Sequence, residues 1–162
     1  MTLAGAAPQV DCPPQSPTGP VRQVAGGAAG PWGGHDNGRI PLSALAPIGG
    51  GHYLRAAAAT PWLALQAHAR ATLGREIGVT DSYRDYPTQV VLKAAKGALA
   101  ATPGTSNHGW GLALDLVVGG FDTSTYGWLR ANGPRYGWVN PGWAHDGVGI
   151  EEPWHFEFQP PR

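Results

Sequence analysis

Residues 106–118 read SNHGWGLALDLVV, a polar turn that runs into an alternating strand with an aspartate inside it. On a strand, Asp115 projects from the face that carries Ala113, opposite to the leucines on either side of it. An ionised carboxylate there needs a cation or hydrogen-bond donors, because an unpaired buried charge is costly. The pattern predicts either a structural carboxylate, capping a turn or pairing with an arginine, or a metal ligand.

Two histidines favour the metal ligand. His108 precedes the strand in a turn rich in glycine, and His155 lies on the last predicted strand, in EPWHFEF (152–158). Two histidines and one carboxylate form a three-ligand set suited to zinc, which leaves a fourth position open as in catalytic sites. Glu152 lies where a carboxylate that does not bind metal could take a proton from water. Adjacency alone leaves Glu151 as an alternative to Glu152.

Four segments carry a resemblance to a known family. Residues 106–115 match S-x-H-x-x-G-x-A-x-D, and residues 152–155 match E-P-W-H. DSYRDYPTQ (81–89) is similar to the family's S-x-Y-R-S-x-x-x-Q segment, and YGWV (136–139) extends the likeness. On these motifs the chain resembles the zinc D-Ala-D-Ala carboxypeptidases of the VanY type and the related phage endolysin peptidases, over about residues 38–159.

The resemblance implies a zinc-dependent peptidase whose metal ion is bound by His108, Asp115 and His155. Zinc lowers the pKa of a bound water to roughly 7. Glu152 would take the proton of that water as catalytic base and then protonate the leaving amine. Covalent catalysis has little support, because no third group is evident that would orient a Ser106 and His108 pair.

The resemblance also implies residues that contact the substrate. Arg84 would hold the substrate carbonyl and stabilise the developing oxyanion, and Ser106 and Gln89 would lie beside the substrate. Asp81 and Asp85 depart from the family pattern, which has small or neutral residues around the arginine. These two acids change the local charge and hence bear on the substrate preference. For Arg84 itself, a salt bridge to either acid is a serious alternative to a role in substrate binding.

Other residues are weighed against simpler roles. Trp143, in a loop before Glu152, is expected at the rim of a cleft, where it would bind substrate. His145 is expected to be a turn residue, with a substrate-side role as the alternative, and Glu157 either supports a ligand or lines a solvent face. No part in the site is expected for the remaining histidines, which are His35, His52 and His68.

The composition limits the function classes. The 162 residues contain 11 Lys+Arg and 11 Asp+Glu, so nothing indicates a basic surface for nucleic acid. No apolar run approaches the roughly 20 residues of a membrane span, and the N-terminus lacks a signal-peptide pattern. Cys12 is the single cysteine, which excludes an intramolecular disulfide and a cysteine metal cluster. We expect a monomer.

The order of elements predicts an α+β fold, a small antiparallel sheet with helices packed on one side and the zinc site at the sheet. Residues 1–37 are predicted to form a flexible tail or linker rich in Pro, Gly and Ala, and residues 38–162 the peptidase domain. Residues 37–49 are expected to be extended, and HYLRAAAA (52–59) to form a short helix. A stronger helix is predicted to begin at Thr60-Pro61 and to end at Gly78. The remaining predictions are strands at 79–84, 112–118, 137–139 and 153–158, and helices at 87–98 and 123–136.

The predicted function is hydrolysis of peptide bonds in peptidoglycan stem peptides, foremost as a D-alanyl-D-alanine carboxypeptidase. One alternative is an endolysin-type L-alanyl-D-glutamate endopeptidase. Another is an inactive, zinc-stabilised module that binds cell wall, against which Glu152 argues, because a structural site has no use for a base. An extracellular or cell-wall-facing location is expected, or the host cytoplasm before lysis for a phage enzyme.

Overall fold

The computed structural model describes residues 34–159. The greater part of the predicted tail lies outside this range, as does Cys12. Within it, the side chain of Asn37 is buried and its Nδ2 donates a hydrogen bond to the Ser106 carbonyl at 2.7 Å. The division of the chain at residue 37 remains a prediction.

Three helices and six strands make up the regular structure of these residues. The helices are α1 (Ala56–Leu73), α2 (Tyr86–Lys96) and α3 (Ser124–Asn132). The strands are β1 (Ala46–Gly49), β2 (His52–Leu54), β3 (Val79–Asp81), β4 (Ala113–Leu116), β5 (Trp138–Val139) and β6 (His155–Phe158). Short 3₁₀ turns connect them at Leu42–Ala44, Gly97–Leu99, Asn107–Trp110, Gly133–Tyr136 and Gly142–Ala144.

The sheet that carries the ligands has four antiparallel strands in the order β3-β4-β6-β5, and β1 and β2 form a separate antiparallel pair. In the larger sheet Asp115 pairs with Asp81 on one side and with His155 on the other. Residues that pair directly across strands point to the same face. The register therefore places these three side chains in one row.

The hydrophobic core lies on the opposite face of the sheet. Leu114 and Phe156 are fully buried there, and they belong to the same cluster as Trp62 and Leu65 of α1. The expected α+β fold with a small antiparallel sheet is confirmed. The alternation of side chains in β4 and β6 places core residues on one face of the sheet and site residues on the other. None of the helices in residues 34–159 has the length and apolarity needed to cross a membrane.

The structure corrects the prediction for the first helix. It begins at Ala56 instead of Thr60, because residues 56–59 are alanines with high helix propensity. Pro61 therefore lies inside the helix. Its missing N–H removes one hydrogen bond near the start, which the longer helix tolerates.

The neighbouring boundaries also differ from the prediction. His52–Leu54 is a strand paired with β1, so the helix predicted over residues 52–59 is wrong for 52–54, whereas 56–59 form the first turn of α1. Helix α1 ends at Leu73, followed by Gly74 with φ 69°, a left-handed conformation that favours glycine. Gly78 does not end the helix. Its lack of a side chain lets the backbone pass close to Val117, because a Cβ there would lie 2.9 Å from Val117 Cγ2.

Candidate metal centre

The three predicted ligands converge on one face of the sheet, at its two central strands. Asp115 and His155 face each other across β4 and β6, while His108 lies in the Asn107–Trp110 turn that leads into β4. Ser106 caps this turn, since its Oγ accepts a hydrogen bond from the His108 backbone N–H at 3.2 Å. One ligand atom from each of the three residues lies within 4.8 Å of the others.

Each imidazole is oriented by an acceptor on its far side. His108 Nδ1 lies 2.7 Å from the Ser82 carbonyl oxygen and must donate to it, which leaves Nε2 as the free ligand atom. His155 Nε2 lies 3.2 Å from Glu157 Oε1 and donates to that carboxylate, which leaves Nδ1. These two free nitrogens lie 3.2 and 3.0 Å from the same oxygen, Asp115 Oδ1.

This donor set fits a divalent metal ion. Histidine ligands in metal sites donate their second N–H to a carboxylate or a carbonyl, which fixes the tautomer and the ring orientation. Both arrangements occur here, with the Ser82 carbonyl behind His108 and Glu157 behind His155. Of the two roles considered for Glu157, its hydrogen bond with His155 Nε2 supports the role of orienting that predicted ligand.

The site holds separated charges in the metal-free protein. Burial acts to raise the pKa of Asp115, but hydrogen bonds and charges from the two histidines outweigh it and hold the pKa below its ordinary value. Burial acts to lower the pKa of His155, but its hydrogen bonds to Asp115 and Glu157 raise it to about 9. An incoming metal ion must displace the proton of His155.

A cleft of about 690 Å³ opens over the three ligands. Of the other residues predicted for the site, it is lined by Arg84, Ser106, Trp143 and Glu152. Trp143 is 46% exposed, and its ring centroid lies 5.2 Å from that of His155, so this side chain stands at the rim as expected. Its contact with substrate remains a prediction.

Glu151 and Glu152, which precede β6, lie in different surroundings. Glu152 lines the cleft, and burial raises the pKa of its carboxyl above the ordinary value, against the opposing charge of His155. Glu151 is exposed, and its Oε1 accepts a hydrogen bond from the Gly147 N–H at 3.0 Å. The geometry therefore favours Glu152 for proton transfer in the cleft.

Arg84 is held in place from two directions. Its Nε donates to Asp81 Oδ2 at 2.9 Å and its Nη2 contacts the same oxygen, while Nη1 donates to Gln89 Oε1 at 2.7 Å. Nη2 also lies 3.9 Å from Asp115 Oδ2. The alternative of a salt bridge thus applies to Asp81, whereas Asp85 caps α2 by accepting from the Thr88 N–H at 2.8 Å.

Gln89 lies behind Arg84 and does not line the cleft. It is buried, and its Nε2 donates to the Ala101 carbonyl at 2.8 Å, so both ends of its amide are used inside the protein. The structure brings Gln89 to the arginine and not to the substrate space.

The sequence reasoning missed Asn140. Its buried Nδ2 donates to the carbonyls of Glu152 at 3.0 Å and His155 at 2.8 Å, and its Oδ1 accepts from the Tyr126 hydroxyl at 2.9 Å. The signal available was Asn140-Pro141 directly after a strand. β5 ends at Val139, which pairs with Glu157, and Pro141 has no N–H with which to continue the pairing along β6.

The other histidines contribute little to the cleft. His52 Nδ1 lies 3.1 Å from Ser82 Oγ, so it contacts the residue behind His108 instead of being incidental. His145 lies beside Arg130 and the Asn140 carbonyl and does not line the cleft. His68 is a boundary residue against Trp128, as expected.

These features define a class of protein: an α+β domain with a two-histidine, one-carboxylate metal centre and a carboxylate base candidate in an open cleft. The family profile described as VanY, D-alanyl-D-alanine carboxypeptidase, matches residues 51–161. The chain belongs to this family.

Known relatives agree with the assignment. A D-alanyl-D-alanine carboxypeptidase of Enterococcus faecalis (strain ATCC 700802 / V583) is 34% identical over 77 residues, which are 44% of this chain and 29% of the relative. This aligned region thus covers less than a third of the curated relative's length.

Two solved structures share the fold. The first is a variant of the vancomycin resistance D,D-pentapeptidase VanY in complex with Zn(II), with a TM-score of 0.57 and 27% identity, covering 74% of this chain and 82% of that one. The second is VanYB in complex with D-alanine-D-alanine, with a TM-score of 0.55 and 27% identity, covering 72% and 77%.

Proposed function

We propose that this chain is a zinc peptidase that removes the terminal D-alanine from peptidoglycan stem peptides. The observation that carries the proposal is the convergence of His108 Nε2, His155 Nδ1 and the Asp115 carboxylate at the floor of a cleft that Glu152 also lines. Membership of the VanY family supports zinc as the metal and a D-alanyl-D-alanine end as the substrate, as do the Zn(II) and D-alanine-D-alanine complexes of two relatives.

His108, Asp115 and His155 would hold the zinc ion. When bound, zinc supplies a Lewis acid that lowers the pKa of water to roughly 7 and polarises a carbonyl oxygen. The second nitrogen of each histidine is already engaged, so the ligand atoms are oriented before the metal arrives.

Glu152 carries the proton in this scheme. Its half-buried carboxylate accepts a proton from the attacking water and donates it to the amine of the departing D-alanine. The raised pKa of Glu152 suits both steps, because it brings the carboxyl closer to neutral pH than a solvated glutamate.

Arg84 is the group that stabilises the developing oxyanion. Bonds to Asp81 and Gln89 fix the guanidinium beside Asp115, which limits the reorganisation needed at the moment of reaction. Ser106 and Trp143 line the same cleft and are proposed to contact the peptide. A cell-wall-facing location follows from this substrate and is part of the proposal.

The test compares wild type with Glu152→Gln, each loaded with one equivalent of zinc, on purified muropeptides analysed by mass spectrometry. Loss of one alanine by wild type only is the expected result. Release of the whole stem would identify an endopeptidase instead. Equal products from both proteins would refute the role of Glu152, and zinc-dependent binding of peptide without cleavage by wild type would identify a binding module.

A further inference from the structure

The walls of the cleft differ in chemistry. The wall contributed by the end of α2 and the turn after it contains Leu92, Leu99 and residues 100–101, which are apolar, and a single charged residue, Lys96. Trp143, Ile150 and Trp154 also line the cleft. Lys96 is therefore the charged residue of this apolar wall of the cleft.

Lys96 differs from Arg84, which also lines the cleft, in having no hydrogen-bond or ion-pair partner among the described residues. Arg84 is engaged by Asp81 and Gln89. Lys96 is exposed and makes no hydrogen bond or ion pair with residues 34–159. Lys93, one turn earlier on α2, instead donates to the Ala100 carbonyl at 2.8 Å.

The charge of Lys96 acts inside the cleft. It opposes the rise in the pKa of Glu152, so its field reaches the carboxylate proposed to transfer protons. A lysine in the last turn of a helix also interacts with the helix dipole. That interaction stabilises α2 but explains neither its place in the cleft wall nor its lack of a partner.

We infer that Lys96 forms a carboxylate-binding subsite of the cleft, which makes a free carboxylate part of the preferred substrate. This inference rests on the proposed function, since the ligand is the peptide substrate. The carboxylate belongs either to the chain terminus or to a side chain of the stem peptide, and both present the same group to the ammonium ion. Binding there contributes equally in the ground state and the transition state, so it acts on KM more than on kcat.

The test uses the zinc-loaded Glu152→Gln protein, in which binding is measured by calorimetry without turnover. Three forms of one D-Ala-terminated peptide serve as probes: the free acid, the form with an amidated terminus and the form with amidated side-chain carboxylates. Adding Lys96→Met is expected to weaken binding of the free acid about tenfold, and adding Lys96→Arg to restore most of it. One amidated form should lose the dependence on Lys96, and that form identifies the carboxylate.

Kinetics and controls separate this subsite from a structural role. In the otherwise wild-type enzyme, Lys96→Met should raise KM for the free acid about tenfold with little change in kcat, and the effect should shrink at high salt. Arg70→Met removes the same charge from an exposed pair with Glu76 outside the cleft and should change neither constant.

Equal losses of affinity for all three peptides, or no loss, would overturn the subsite while leaving the proposed function intact. If the zinc-loaded Glu152→Gln protein bound none of these peptides and wild type cleaved none, both the subsite and the proposed function would be refuted.

Discussion

Asn140 offers a sharp test of how the metal centre is positioned. Its Nδ2 reaches the carbonyls of Glu152 and His155, the two residues that bound the turn before β6. Replacement by leucine keeps the side chain similar in size and removes both donated hydrogen bonds. We expect Asn140→Leu to weaken the fold and zinc binding together.

The expected loss of stability in Asn140→Leu follows from the groups that lose their hydrogen-bond partners. The His155 carbonyl loses the hydrogen bond from Asn140 Nδ2, and leaving this buried carbonyl unpaired costs about 1–3 kcal/mol. The Glu152 carbonyl still accepts from the His155 N–H at 3.1 Å, so the loss there is about 1 kcal/mol. The Tyr126 hydroxyl also loses its acceptor, Asn140 Oδ1, which costs about 1 kcal/mol more. A total of about 3–5 kcal/mol lowers Tm by roughly 10–15 °C for a domain of this size.

The assays are thermal denaturation of the zinc-free protein and zinc affinity by competition with a chelator. Zinc affinity should fall by about 10- to 100-fold, the usual effect of disturbing groups that support ligands. Asn132→Leu is the control, because Asn132 Nδ2 also donates to a backbone carbonyl, that of Trp128 at 2.9 Å, at the end of α3. Unchanged zinc affinity in Asn140→Leu, or an equal loss in Asn132→Leu, would refute the reasoning.

Three further predictions concern protonation and packing. In the zinc-free protein the pKa of His155 is about 9 against an ordinary 6.5, so its contribution to stability is complete below about pH 6.5 and lost as pH rises through about 9. Zinc must displace this proton, so chelator competition should show affinity rising with pH up to about 9. Glu157→Gln should move the pKa of His155 back toward its ordinary value in an NMR titration, and an unchanged pKa would contradict the assigned hydrogen bond. Gly109→Ala should destabilise the fold by about 2–4 kcal/mol in urea unfolding, because its Cβ would lie 2.0 Å from Asn37 Oδ1, whereas Gly127→Ala meets no atom within 4 Å in α3 and should be neutral or stabilising.

The clustering of His108, Asp115 and His155 could be predicted from sequence because its signals are local. Alternation in β4 places Asp115 opposite to Leu114, and the same period in β6 places His155 opposite to Phe156. Two short motifs then suffice to name the set. The first helix was harder, because an alanine run and a Thr-Pro pair are both valid starts, and the packing of Ala58 and Ala59 in the core favours the earlier one.

The supporting groups could not be predicted because most act through the backbone. The carbonyl of Ser82 orients His108, and every residue has a carbonyl, so no residue type marks it. The role of Asn140 was detectable only once the structure showed that its side chain reaches the carbonyls of Glu152 and His155. Such contacts depend on strand register, which a single sequence does not supply at short strands.

Asp81 departs from the family pattern, and the structure compensates for its negative charge. It faces Asp115 across β3 and β4, an arrangement that like charges make unfavourable. Arg84 binds Asp81 and lies near Asp115, which offsets the repulsion. Asp81 Oδ1 also accepts the Ser82 N–H at 2.8 Å, next to the carbonyl that orients His108. Asp81 therefore supports both Arg84 and His108. Its charge is balanced by Arg84 within the protein and is not directed at the substrate.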